Sequence, residues 1–143
     1  MARAETREAA CGCGRLRVTT VGEPDLVIAC SCLACQRRTG SPFGVGAYFK
    51  KEAVSVEGDA RVYSRVADSG LDVSIRFCPG CGTSLWWSAE LRPDHYGVAV
   101  GGFGDPDFGR PGRVVWSESK HPWVRFPDGV AEYRQGTPRP KAE

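Results

Sequence analysis

The sequence has no apolar run approaching the ~18–20 residues that a membrane-spanning helix needs. It has almost no excess of one charge. With 19 Lys and Arg against 17 Asp and Glu the formal charge is +2, too little for the basic stripe that holds a nucleic-acid backbone or an anionic membrane. Residues 1–10 carry Arg3, Glu5, Arg7 and Glu8 and lack the apolar centre of a secretion signal, so the expected location is cytoplasmic. Sustained helical periodicity is missing, as is any internal repeat that would indicate a solenoid. Histidine is scarce: His95 and His121 are the only two, and each taken alone reads as a surface or hydrogen-bonded residue rather than a metal ligand.

What is present is a chain of 143 residues, the size of one domain with its own core. Glycine (18) and proline (10) make it turn-rich without reaching the disordered range. The seven cysteines are the most informative feature. In a reducing compartment, cysteine at this density means metal or redox chemistry more often than disulfides. Seven thiols cannot all pair, but seven divides into four and three.

The cysteines fall into three clusters: Cys11-Gly-Cys13, Cys30-Ser-Cys32-Leu-Ala-Cys35 and Cys78-Pro-Gly-Cys81. Between them the pattern is one of short strands. Leu16, Val18 and Thr20 alternate with polar neighbours and end at the turn signal Gly22-Glu23-Pro24-Asp25. An apolar run from Leu26 to Ala29 leads into the second cluster, and the alternating Val73, Ile75 and Phe77 lead into the third. Residues 45–49, 54–57, 61–65, 85–87 and 96–100 read as further strands, and 114–116 and then 123–126 as closing strands or a final packed segment. A helical turn is expected only at 33–39, and 101–112 is a loop of Gly, Pro and Asp. The expected class is mainly β, antiparallel, organised around zinc-binding knuckles. The domain covers 11–135, with flexible segments at 1–10 and 136–143.

A Cys-x-x-Cys turn followed by glycine places two thiolates side by side, with backbone amides free to point at the sulfurs. Four thiolates close a tetrahedral zinc site, whereas three leave a position for water or an external thiol. The spacing permits two groupings. One pairs Cys32 and Cys35 with Cys78 and Cys81 as a zinc ribbon and strands Cys11, Cys13 and Cys30. The other joins Cys11 and Cys13 to Cys78 and Cys81 and leaves Cys30, Cys32 and Cys35 as a compact set of three. The second is preferred because it leaves no orphan thiol. A redox role for Cys78-Pro-Gly-Cys81 lacks the surrounding βαβ pattern. A purely structural role for all seven would need an eighth ligand such as His95 or His121.

The string Cys11-Gly-Cys13-Gly14, then Cys30-Ser-Cys32-Leu-Ala-Cys35-Gln-Arg-Arg-Thr-Gly-Ser41, then Arg76-Phe77-Cys78-Pro-Gly-Cys81-Gly-Thr83 resembles the glutathione-dependent formaldehyde-activating enzyme family, which includes the centromere-protein-V-like proteins. Pro122-Trp123 and Pro127-Asp128 fit the family's usual ending. The resemblance implies a β-tent of small antiparallel sheets and two zinc ions. One is structural, on Cys11, Cys13, Cys78 and Cys81; the other is catalytic and labile, on Cys30, Cys32 and Cys35. It also implies an activity: a carbon–sulfur lyase forming or cleaving the adduct of a small glutathione-like thiol with an aldehyde such as formaldehyde. The implied partners are that thiol and aldehyde or their adduct, with no nucleic acid and no membrane. The competing class is a non-catalytic, zinc-stabilised binding module, which a fourth protein ligand at the second metal would favour.

The chain departs from the family pattern in two places. Members often carry a histidine shortly before the last tryptophan segment, where this chain has Val114-Val115-Trp116. They also often read Leu-Asp-Asp-Pro in the late loop, where this chain has Phe103-Gly104-Asp105-Pro106. Three sets of residues around the cysteines stay open at this stage. Arg37 and Arg38 are either solvated or placed to offset the thiolates or bind a substrate carboxylate. Ser31, Ser41, Tyr48 and Asp105 are candidates to move a proton. Trp86, Trp87 and Trp116 either wall a pocket or fill the core.

Overall fold

The structure is a computed structural model and describes residues 4–138. In chain order its elements are β1 (Thr6–Ala10), β2 (Arg17–Val21), β3 (Leu26–Cys30), α1 (Leu33–Thr39), β4 (Gly44–Lys50) and β5 (Val54–Glu57). They continue with β6 (Arg61–Val66), β7 (Asp72–Phe77), β8 (Ser84–Ala89), β9 (His95–Ala99), β10 (Arg113–Val115) and β11 (Ala131–Glu132). The fold is mainly β, with two sheets. The smaller runs β1-β2-β5 and the larger runs β11-β10-β3-β4-β9-β8-β7-β6. Pairing is antiparallel except at β10, which lies parallel to both β3 and β11.

Alternation along the strands decides which side chains meet, because successive residues point to opposite faces of a sheet. Ala47 and Phe49 of β4 and Val98 of β9 enter the core, with Leu16 and Val18 packed onto them. Cys11 and Cys78 belong to the same buried cluster. One residue out of phase, Gly46 and Tyr48 of β4, Ile28 and Cys30 of β3 and Trp87 of β8 face a cavity on the opposite side. The large sheet therefore separates the first and third cysteine clusters from the second.

Two expectations about the ends are corrected. The segment assigned as flexible at 1–10 contains β1, paired with β2 along its whole length, and Ala9 is fully buried. Its charges do not oppose this: Arg7 points outward and pairs with Glu5 and Glu23. Within the segment assigned as a flexible tail at 136–143, Gly136 and Thr137 line the cavity, and the Thr137 hydroxyl accepts from Arg113 at 3.4 Å. Residues 1–3 and 139–143 lie outside the described residues.

Of the two forms open to 123–126, a strand or a packed segment, the structure has the second: Val124 is buried and its N–H donates to the His121 carbonyl at 3.0 Å. Pro122 and Pro127, on either side, have no backbone donor for a ladder. The last strand is instead the two-residue β11.

Candidate metal centres and the cavity between them

Each cysteine-bearing turn is shaped by its own amides. After β1, the Gly14 N–H donates to the Cys11 carbonyl at 3.0 Å, and the Leu16 N–H reaches Cys11 Sγ at 3.2 Å. After β7, the Gly82 N–H donates to the Cys78 carbonyl at 2.8 Å, and the Gly80 N–H reaches Cys78 Sγ at 3.3 Å. Gly82 adopts φ +79°, a conformation that strains any residue with a side chain. A bond from the Gly12 N–H to Thr83 Oγ1, 3.0 Å long, ties the two turns together.

The outcome is a four-sulfur cluster in which the Sγ atoms of Cys11, Cys13, Cys78 and Cys81 all lie within 4.8 Å of one another. Cys13 Sγ is 3.6 Å from Cys11 Sγ and 3.7 Å from Cys78 Sγ. Thiolates at ~2.3 Å around a tetrahedral zinc stand about 3.8 Å apart, so the donor set suits such an ion. Its sulfurs do not share protons evenly. Cys81 is lowered to about 5, first by the Thr83 hydroxyl and then by backbone amides. Cys13 is pushed up to about 11. The Arg15 amide pulls it down, but its sulfur neighbours and burial outweigh that pull.

The second cluster is built where β3 turns into α1. Cys30 is the last residue of β3, held in register between Gly44 of β4 and Val115 of β10. Cys32 caps α1, its Sγ accepting the Cys35 N–H at 3.3 Å. The three Sγ atoms lie within 4.8 Å of one another. Hydrogen bonds from Cys30 and Cys35 lower Cys32 to about 2, and the same contact with Cys32 raises Cys30. One sulfur is thus ready as a thiolate, and a divalent cation would displace the protons of the others.

Each cluster can therefore hold a metal ion, and the grouping is the four-plus-three division rather than the zinc ribbon. Among the described residues no histidine joins either cluster. His95 Nε2 meets Asp25 at 2.9 Å, and His121 Nε2 meets Gln36 Oε1 at 3.0 Å. Gln36 is a residue the sequence did not single out. Its Nε2 donates to the carbonyls of Ser31 and Ser119, both at 2.9 Å, and so pins α1 against the 117–119 turn. Nothing but its position after Cys35 could have flagged it.

The two clusters differ in what surrounds them. Cys30, Cys32 and Cys35 line a cavity of about 180 Å³, and the four-sulfur cluster does not. The cavity floor is the Trp87 indole, which lies across the sheet over Gly97 and Gly46. A Cβ at Gly97 would stand 2.1 Å from Trp87 Nε1, and one at Gly46 would stand 2.6 Å from Trp87 Cζ2. Trp87 Nε1–H donates to Tyr48 Oη at 3.2 Å. Arg38 stacks on the same indole, its Cζ 4.9 Å from the ring centroid.

The structure sorts the remaining candidates. Trp87 and Trp116 line the cavity, whereas Trp86 packs against the core. Trp116 holds φ +59°, the one positive value outside glycine among the described residues, a costly conformation that marks a constrained site. Arg38 lines the cavity and Arg37 does not. Of the proton carriers, Tyr48 lines the cavity. Ser31 is fully buried, Ser41 is exposed and donates its backbone N–H to Thr39 Oγ1 at 3.1 Å, and Asp105 accepts the Asp107 N–H at 2.9 Å in the late loop.

Tyr48 itself is raised above the ordinary tyrosine value. Burial is the main cause, with the Trp87 hydrogen bond and Arg92 acting against it. No helix of the described residues is long and apolar enough to cross a membrane.

Comparison with known sequences and structures gives a family and a likeness of fold. The sequence model of the family described as "Glutathione-dependent formaldehyde-activating enzyme" matches residues 6–119. Among solved structures, the chain is similar to a Rhodobacter sphaeroides protein whose crystal structure comes from the Northeast Structural Genomics effort. The two are 19% identical with a TM-score of 0.52, over 88% of this chain and 98% of that one, a likeness of fold. No curated protein matches the chain.

Proposed function

The chain belongs to the glutathione-dependent formaldehyde-activating enzyme family, and on that footing we propose that it is a zinc-dependent, carbon–sulfur lyase-type enzyme that forms or cleaves the adduct of a small thiol with an aldehyde. Cys11, Cys13, Cys78 and Cys81 would hold a structural zinc, and Cys30, Cys32 and Cys35 a catalytic one. The observation that carries this reading is that the three-sulfur set opens on a cavity while the four-sulfur set joins two turns outside it.

A zinc ion on three thiolates supplies an open coordination position that lowers the pKa of an incoming thiol. In the forward direction a sulfur–carbon bond forms, the thiol loses its proton and the aldehyde oxygen gains one; cleavage reverses each change. Tyr48, which lines the cavity, is the candidate we favour for moving that proton. Its Oη already accepts from Trp87, which leaves its own O–H for an acceptor in the cavity. The phenol passes this proton to the aldehyde oxygen and recovers the one released by the thiol. The Arg92 guanidinium, 5.3 Å from the Tyr48 ring centroid, steadies the negative charge in between. Arg38 lies on the cavity wall beside Cys35 and favours the thiolate form there.

Metal content measured with and without a small thiol, together with cleavage of S-hydroxymethylglutathione, tests the reading. Two zinc ions per chain, one of them exchangeable on addition of thiol, and measurable cleavage are expected. A single inert zinc with no cleavage would instead support the non-catalytic module.

A further inference from the structure

The cavity walls are chemically lopsided. Leu71, Val73, Ile75 and Leu91 supply aliphatic surface, and Trp87 and Trp116 supply two aromatic faces. Three guanidinium groups, those of Arg38, Arg65 and Arg92, border the same space from α1, β6 and the turn after β8. None of the three takes part in an ion pair among the described residues. Asp68 and Asp72 also line the cavity but stand in none of those pairs. Arg38 lies over Trp87, with its Nη2 2.6 Å from where a Cβ on Gly44 would stand. A side chain at Gly44 would push the guanidinium off the wall.

We infer that the substrate of this cavity has an apolar, aryl or branched aliphatic body and a carboxylate end, with the body against Trp87, Trp116 and the aliphatic wall and the carboxylate taken by Arg38 and Arg65. This rests on the proposed function for the thiol–aldehyde chemistry and names the kind of adduct that chemistry acts on. Formaldehyde offers no apolar body. The peptide groups of glutathione would lose water against the aliphatic walls without gaining partners there, which disfavours burying them even with Asp68 and Asp72 available to its ammonium. The cavity is also smaller than the ~300–1,000 Å³ usual for a drug-sized ligand, so it suits a single ring or branched chain better than a tripeptide.

Two of the four tryptophans line the cavity, so ligand entry is readable as quenching of tryptophan emission in the purified full-length protein. Titration with 3-phenylpropanoate, 3-phenylpropan-1-ol, propanoate and glutathione separates body from charge without using any reaction. Saturable quenching by 3-phenylpropanoate is expected, with the other three about tenfold weaker or more, as the loss of a charge-assisted bond or of the ring would give. Arg38→Gln and Arg65→Gln should each lower 3-phenylpropanoate affinity towards that of the alcohol and leave the alcohol unchanged. Arg37→Gln, on the same helix but off the cavity, should change neither.

The inference is overturned if the alcohol binds as well as the acid, if glutathione binds more tightly than 3-phenylpropanoate, or if no probe quenches. Adduct cleavage in a protein indifferent to 3-phenylpropanoate would overturn it while leaving the proposed function standing. The expected binding in a protein that cleaves neither S-hydroxymethylglutathione nor the formaldehyde adduct of an aryl-substituted mercaptopropanoate would overturn the function and leave the cavity's preference intact.

Discussion

Tyr48 and Cys35 both line the cavity, and substituting each tests a different part of the proposed chemistry. Tyr48→Phe removes the one phenol that faces the cysteines across it but keeps the ring over which Arg92 lies. Turnover is expected to fall by about 10²–10⁴-fold, the usual range for a lost acid–base group, with thiol affinity retained. Equal loss of thiol binding would mean that Tyr48 shapes the cavity rather than carrying the proton. The same variant has a pH signature. Burial raises the phenol above its ordinary 10, so the folded state holds the proton more tightly than the unfolded chain does. That contribution is complete below pH 10 and is lost as pH rises through the raised value. Urea midpoints taken from pH 9 to 12 should therefore decline more steeply for the natural protein than for Tyr48→Phe. Cys35→Ser belongs to this scale as well: it should keep about one zinc and most of the fold while losing thiol-dependent exchange.

Among the elements, the floor of the cavity depends on three adjacent strands agreeing in register. Trp87 of β8 lies opposite Gly97 of β9, and Gly97 lies opposite Tyr48 of β4. The indole can lie flat only because Gly97 and Gly46 offer no Cβ beneath it. Gly97→Ala is therefore expected to lift Trp87, break its bond to Tyr48 and cost about 1–3 kcal/mol, as overpacking does. Urea denaturation and adduct turnover read the two effects, and a variant unchanged in both would show that Trp87 has another place to go. Strand content was readable from alternation at β2, β3 and β7, where Val18, Ile28 and Ile75 occupy the buried phase. It was not readable at β1, whose charged side chains masked a strand that needs only Ala9 inside. At 123–126 the apolar residues fitted a strand or a packed segment, and Pro122 and Pro127, which lack backbone donors, favour the packed segment that the structure shows.

For the molecule as a whole, the four-sulfur cluster joins two turns far apart in the chain, with 65 positions between Cys13 and Cys78. It also places Cys11 and Cys78 in the core shared by both sheets. Cys81→Ser should consequently abolish cooperative thermal unfolding in circular dichroism and release the structural zinc, in contrast to the milder Cys35→Ser. If both variants lost metal and stability alike, the division into a structural and a catalytic centre would be wrong. The family match over 6–119 spans both clusters.

The cysteine clustering was determined by the sequence alone. Seven thiols in three tight turns divide into four and three in one of the two groupings that their spacing allows. The Cys-x-x-Cys turns also carry their own amides to the sulfurs, because those bonds are local. Even the face that Cys30 takes follows from its being two residues after Ile28 on one strand. Only the tertiary structure decided which cluster meets a cavity, which of Arg37 and Arg38 reaches it, and which of the adjacent Trp86 and Trp87 is core. Those outcomes depend on strands that pair across long separations and on what the opposite strand presents. Trp87 is a cavity floor because β9 and β4 place glycines beneath it, a fact that no window of sequence around residue 87 contains.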